Sequence, residues 1–503
     1  MRKLGLGLGL AACVAVAGCS TTTSSDDMSL PDLSMGGDLA SGPDMATSVL
    51  TGTKVVTGAA QPVGLTTDNY IVYFPGGAGV SAVKLDGTDG SVKIAAANQT
   101  LISGKVVFGW ANGTDTIGEL WAWKLGATAA VKLSDASLRG DSSTTPRTLD
   151  GAVASTDGTR VLYSSGATAT TTDVYVADFA GTNAVKVLTA IPTTGDCELS
   201  AQFAGGKFIV GYCTSNAAAD GGIAASKIVA IDAANPATVT DLFTNVRNFA
   251  SVDTAGTKVA AVDINQQLKW VGIAGGTPVT VATGVVSGLL AVVNPAGTNL
   301  VWLNNSDNLM RLDISSAAQA PVQLQTGIKR ILRISPDGAV AFLSKVADET
   351  DPMFPKYDVY LASLTTASAA TSLVATPTGN IFGSAFSLDN SKAYYYSDCA
   401  AGSGTLHSRP VAGGADTVIA PNVWNEYAGP GNTLVYADNY RAATSYVDLK
   451  TVANTGGTAT TIATNIRDDA QYRHIISKDG TKLIYSYTGK PTTAQGLYVY
   501  NVQ

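Results

Sequence analysis

Short apolar strands, separated by turns at near-regular intervals, organise most of this chain. The segment "RISPDGAVAFLSK" reads as an apolar strand, a turn at Gly338 and a second apolar strand, and "HIISKDGTKLIYSYTG" repeats it around Gly480. The same pattern recurs in "ASTDGTRVLYSSG", "QFAGGKFIVGYC", "VDTAGTKVAAVD", "VVNPAGTNLVWLNN", "FSLDNSKAYYYSD" and "AGPGNTLVYAD". With Gly158, Gly206, Gly256, Gly297, Gly338, Asn390, Gly431 and Gly480 as anchors, the spacings are 48, 50, 41, 41, 52, 41 and 49 residues. Two less regular units, around "TTDNYIVYFPG" and "ISGKVVFGWANG", precede these and bring the total to about ten.

The stretch from Val153 to Ala190 shows the logic of one unit. A short strand "AVAS" turns at Asp157-Gly158, where glycine accepts positive φ, and returns as "RVLYSS". A third strand, "DVYVADF", alternates apolar and polar residues, and a fourth, "AVKVLTA", completes the unit. Four strands in each 40–50-residue repeat predict an all-β fold, a β-propeller of four-stranded blades that cover their faces against neighbouring blades. About 8–10 repeats are expected, in a single ring or in two smaller rings. A tandem of β-sandwiches would match the strand content but not the repeated turn.

The first 50 residues follow different rules. "MRKLGLGLGLAACVAVAGCS" places Arg2 and Lys3 before an apolar run from Leu4 to Ala17 and ends in small residues, the layout of a secretory signal. Val16-Ala17-Gly18-Cys19 resembles the lipobox of bacterial lipoproteins, which implies a signal peptide over 1–18 and lipidation of Cys19. Residues 19–50 are built of Ser, Thr, Gly, Pro and Asp without apolar periodicity and read as a flexible tether. A coil of that length has an end-to-end distance of roughly 30 Å. The propeller is expected over 51–503. Ser20 follows the lipidated cysteine, and by resemblance to lipoproteins lacking Asp there it implies an outer-membrane address, on the periplasmic or surface face.

The repeat itself carries a second resemblance. Ser335-Pro336-Asp337-Gly338 followed by "AVAFLS", echoed at Ser155-Thr156-Asp157-Gly158 and Ser477-Lys478-Asp479-Gly480, resembles the repeat of TolB-type (WD40-like) propellers of bacterial envelopes. This resemblance implies a periplasmic docking platform. The chain departs from TolB itself in its lipidation and in having no obvious extra α/β domain.

Composition narrows the partners. Loss of Arg2 and Lys3 with the signal takes the formal charge from −7 to −9, which opposes nucleic-acid binding because that needs a cationic surface. The expected partners are the membrane, through the N-terminal lipid, and an envelope protein or peptide. No cofactor and no metal site are expected: HExxH, Cys-rich spacings and a Gly-x-Ser-x-Gly elbow do not occur, and His407 and His474 are the chain's two histidines. Cys197 and Cys213 flank a hairpin turning at Gly205-Gly206 and are expected to form a disulfide, with Cys399 left as a buried thiol. The segments "TNVRNFA", "TGIKRIL", "NVWNEYA" and "TNIRDDA" lead into first strands and align Arg247, Lys329, Trp424 and Arg467, a candidate binding rim for peptide carboxylates or other anionic groups. The alternative for these residues is solvated loop charge neutralised by Glu426, Asp468 and Asp469.

Taken together, the residues point to a membrane-anchored lipoprotein whose propeller is a non-catalytic binding scaffold. The competing reading is a propeller hydrolase or lyase acting on carbohydrate or peptide, with His474, Glu426 and Asp253 as candidates for its chemistry. Cys19→Ser is expected to move the protein from the membrane fraction to the soluble fraction, because an acyl chain contributes about 0.8 kcal/mol per buried methylene. Retention of the variant on protein-free vesicles would contradict the lipid assignment.

Overall fold

The computed structural model describes residues 48–76, 79–114, 116–139, 152–193, 199–214, 226–253, 255–285, 292–293, 297–315, 320–348, 356–366, 370–374, 384–400, 403–469 and 474–503. Within them the chain forms ten four-stranded antiparallel blades. In chain order they span 60–94, 97–138, 152–192, 200–252, 239–282, 292–325, 330–374, 384–428, 417–467 and 475–501, the last completed by strand Thr53–Thr57. Numbered one to ten, they match the ten units read from the sequence. Contacts divide the chain into two units, one holding blades 1 to 7 and the other holding blades 8 to 10 with the N-terminal strand.

The second strand of a blade is apolar on both faces. Tyr70–Pro75, Val106–Gly113, Lys258–Asp263 and Lys482–Tyr487 each carry runs of four or more buried residues. Such a strand needs a neighbouring sheet on each side. Outer strands such as Val131–Leu138 instead mix buried and exposed positions. The apolar clusters lie accordingly between consecutive blades. Val174 and Val176 of blade 3 pack with Phe208 and Val229 of blade 4. In the second unit, Tyr394 and Leu406 of blade 8 meet Leu434 and Tyr436 of blade 9, while Val435 and Leu449 of blade 9 meet Leu483 and Tyr485 of blade 10.

The turn between the first and second strands is locked by a recurring hydroxyl. Ser335 Oγ donates to Asp337 Oδ1 at 2.6 Å and accepts from the Val340 amide at 3.0 Å, while the Gly338 amide closes onto the Ser335 carbonyl at 2.8 Å. Ser155, Ser387 and Ser477 repeat the contact with Asp157, Asp389 and Asp479, each at 2.6 Å. Blade 5 achieves the same closure with a carboxylate. Asp253 accepts from the Thr257 and Lys258 amides at 2.6 and 2.9 Å and from the Thr257 hydroxyl at 2.5 Å.

Turns of consecutive blades also touch. A Cβ on Gly256 of blade 5 would stand 2.1 Å from the Gly205 nitrogen of blade 4, so this contact requires glycine. Lysines clamp other pairs. Lys124 of blade 2 donates to the Gly158 carbonyl at 3.0 Å, and Lys258 of blade 5 donates to the Gly297 and Ile314 carbonyls at 2.8 and 2.9 Å.

Two features depart from a simple series of consecutive blades. Strands Val239–Val252 and Thr417–Ala428 are long enough to serve as the fourth strand of one blade and the first strand of the next. The outer strand of blade 10 is Thr53–Thr57, paired antiparallel with Gly496–Asn501. Just before it, Leu50 bridges to Ala463, and the Thr464 amide donates to the Val49 carbonyl at 2.9 Å. The N-terminal segment is thereby fixed to blades 9 and 10.

The turn lock makes two predictions. Ser335→Ala and Ser477→Ala should each cost about 1 kcal/mol in chemical denaturation, since each removes a donor and an acceptor at a buried turn. The Ser155 hydroxyl and the Thr159 amide hold Asp157 down to about 2, and the equivalent serines lower Asp389 and Asp479. A folded-state value below the unfolded value of about 3.9 gives stability that is present above the unfolded value and lost as pH falls toward the folded one. Melting temperature should therefore drop between about pH 4 and pH 2, and the Asp157→Asn, Asp389→Asn, Asp479→Asn triple variant should show a smaller drop.

Candidate functional site

Arg247, Lys329, Trp424 and Arg467 do occupy equivalent backbone positions. Each lies two residues after a left-handed residue, namely Asn245 (φ 54), Gly327 (φ 69), Asn422 (φ 54) and Asn465 (φ 58). The segments are not all loops, however. Arg247 and Trp424 lie inside the shared strands, where the pairing register shifts between Val246 and Asn248 and between Val423 and Asn425. The left-handed Asn245 and Asn422 each sit at a bulge inside a continuous strand.

The rim cations have partners within the protein. Lys329 Nζ pairs with Asp307 at 2.7 Å, and Arg467 Nε pairs with Asp469 at 2.6 Å. The Arg247 side chain lies outside the described residues, as do Cys19 and Cys197. Cys213 ends the strand Lys207–Cys213, is buried, and is approached by the Ser226 hydroxyl at 3.9 Å.

Trp424 belongs to a different kind of surface. Its indole stacks on the Tyr440 ring with centroids 3.8 Å apart and planes 9° apart. Tyr440 in turn lines an open pocket of about 620 Å³ between blades 8 and 9, together with Asn422, Tyr436, Asp438, Asn439 and Lys450. The two charges on this lining neutralise each other, since Lys450 Nζ donates to Asp438 Oδ2 at 2.7 Å. Burial raises Asp438 above the ordinary carboxylate value, against the pull of Lys450. The rest of the lining is aromatic, amide and hydroxyl, with an aliphatic part from Ile419, Ala420 and Pro421.

The candidates for chemistry are distributed differently. Asp253 is only 1% exposed and its carboxylate closes its own turn. Glu426, 4% exposed, accepts a short hydrogen bond from the Tyr396 hydroxyl. Burial, reinforced by Glu426, pushes Tyr396 well above its usual value. His474, 2% exposed, packs edge-on against Tyr427 at 5.0 Å, with Nδ1 3.7 Å from Asp468 Oδ1. Desolvation lowers His474, and the Asp468 charge opposes that shift. Asn425 Nδ2 reaches the other Asp468 oxygen at 3.2 Å. His474, Asp468 and Asn425 form a polar cluster in the second unit, Glu426 pairs separately with Tyr396, and Asp253 lies in the first unit.

A further constellation escaped the sequence reading. On the second and third strands of blade 8, Ser397 Oγ lies 2.8 Å from His407 Nε2, and His407 Nδ1 lies 2.6 Å from Asp416 Oδ2. Register explains the meeting. Tyr395 pairs directly with His407, and Ser397 lies two residues further along the same strand face. The Tyr395 ring stacks under the imidazole at 4.9 Å and 11°, and its hydroxyl also bonds Asp416.

These blades define the β-propeller class, four-stranded meanders packed face to face at a 40–50-residue period. Among solved structures the chain is similar to the tricorn protease, with 12% identity and a TM-score of 0.34 over 88% of this chain and 52% of that one. It spans about half the length of that protease. It is also similar to a putative TolB from Agrobacterium tumefaciens, with 16% identity and a TM-score of 0.27 over 53% of this chain and 94% of that one. The β-propeller domain of the Trilobed protease from Pyrococcus furiosus is similar at 11% identity and a TM-score of 0.33, over 61% and 96% of the two chains. No family model matches the chain, and no curated protein matches it in sequence.

Removal of the buried phenol donor should expose the structural role of the Glu426–Tyr396 pair. Tyr396→Phe is expected to lower stability by about 1–3 kcal/mol in urea denaturation, because a buried carboxylate loses a donor. Glu426→Gln, which keeps an acceptor for the phenol, should cost less. Equal stability of Tyr396→Phe and the parent protein would contradict this role.

Proposed function

We propose that this protein is a lipid-tethered binding scaffold of the cell envelope, and that it recognises an envelope protein or peptide at the pocket between blades 8 and 9. One observation carries the reading. The Trp424–Tyr440 stack borders an open pocket whose two charges cancel and whose remaining polar groups are amides and phenols. Such a lining offers an apolar platform beside hydrogen-bonding groups, which suits an extended peptide with its own amides and side chains. Asn422 is exposed at the pocket edge, and its amide has no hydrogen-bond partner among the described residues. The lipid assignment rests on the Val16-Ala17-Gly18-Cys19 motif.

Arg467, paired with Asp469, contributes a secondary contact.

Affinity capture from envelope extracts with the detergent-solubilised full chain tests the proposal. Tyr440→Ala and Trp424→Ala should each reduce recovery of the captured partner by about tenfold or more, as expected of an aromatic anchor. The effect should persist in high salt, since the lining carries no net charge. Replacing Arg247, Lys329 and Arg467 together by Ser should reduce recovery less. Unchanged recovery in both aromatic variants would overturn the assignment of the pocket.

A further inference from the structure

Beyond binding, we propose that blade 8 carries a hydrolytic site for short acyl esters, with Ser397 as nucleophile, His407 as general base and Asp416 as the residue that positions the base. The geometry assigns each nitrogen a distinct task. Asp416 Oδ2 sits 2.6 Å from His407 Nδ1, which favours the tautomer with its proton on Nδ1 and turns the Nε2 lone pair toward the Ser397 hydroxyl at 2.8 Å. The imidazole is held from one face by the Tyr395 ring, whose hydroxyl bonds the same aspartate. Base and orienting acid are thus fixed together by a buried aromatic side chain, 2% exposed.

The surroundings fit a nucleophile open to solvent. The His407 side chain is 13% exposed and that of Asp416 31%, and Ser397 lies part-exposed within the strand Lys392–Ala400. Immediately after Ser397 the backbone enters the left-handed region at Asp398 (φ 51), and the ladder register breaks between Ser397 and Ala400. A bulge therefore follows the nucleophile within the strand. Ser397 Oγ also contacts Asp398 Oδ2 at 2.9 Å, so the hydroxyl proton is contested and the reaction should be slow.

The reaction balances with water as the only co-reactant. Ser397 Oγ bonds the acyl carbon as its proton passes to His407 Nε2. The carbon–oxygen bond to the alcohol then breaks, and the departing oxygen takes the proton from Nε2. Water, giving its proton to Nε2, attacks the acyl-serine, and the released carboxylic acid leaves Ser397 with its proton restored. The net change is ester plus water to acid plus alcohol.

The test uses the full chain in detergent with two probes, a fluorophosphonate for labelling and p-nitrophenyl acetate for turnover. Peptide mapping should find the phosphonate adduct on Ser397, and p-nitrophenol release should exceed that of Ser397→Ala by about tenfold or more. His407→Gln should lose both signals. Asp416→Asn should reduce turnover by about tenfold or more and change the pH profile, which a purely structural aspartate would not do. No adduct at Ser397, or equal turnover in the parent and Ser397→Ala, would overturn the proposal. If His407→Gln fails to fold, adduct mapping on the parent still decides. Partner capture by Ser397→Ala should match the parent, so failure of the hydrolytic site and failure of the binding proposal are read separately.

Discussion

Every blade of this protein is a sheet with two apolar faces, and neither face can be covered by the blade itself. That constraint governs the rest. It requires a second strand that is apolar at consecutive positions, as in Tyr394, Tyr395 and Tyr396 of blade 8 or Leu483, Ile484 and Tyr485 of blade 10. It places the apolar clusters between blades, so each blade depends on its neighbours. It also demands that consecutive blades approach closely at their turns, which is why Gly205 and Gly256 meet with no space for a side chain.

Polar groups caught at these seams have to be satisfied locally, and this decides which residues remain for function. Ser155, Ser335, Ser387 and Ser477 are consumed in closing turns, and Asp253 performs the same task in blade 5. Glu426 is held by Tyr396, and His474 is buried near Asp468. The Trp424–Tyr440 stack and the Ser397–His407–Asp416 array lie instead on part-exposed surfaces, and the proposed recognition and acyl chemistry rest on them.

Much of the fold was legible in the chain because its signals are local. The hairpin turns announce themselves through Asp, Gly and Asn, and the alternation of apolar strands fixes their period. What stayed hidden depends on pairing between distant segments. Thr53–Thr57 completes blade 10 through Gly496–Asn501, and nothing in "TKVVT" names that partner. The shared strands were masked by Asn245 and Asn422, residues that favour loops but here adopt left-handed bulges. The alignment of Arg247, Lys329, Trp424 and Arg467 reflects a real backbone equivalence, yet Trp424 meets Tyr440 through the fold of blade 9. Ser397, His407 and Asp416 converge only because Tyr395 pairs with His407, a register that residue spacing alone does not reveal.

The central claim is that the seam residues serve the fold while the part-exposed groups serve function. The two histidines make this directly measurable by NMR titration of imidazole resonances in the full chain, assigned with a His474→Gln variant. Burial should keep His474 neutral to below 6.5, with resonances unchanged when the captured partner is added. Titration of His474 at or above 6.5, or a shift on partner binding, would mean that the seam is open to solvent and ligand, and would contradict the account.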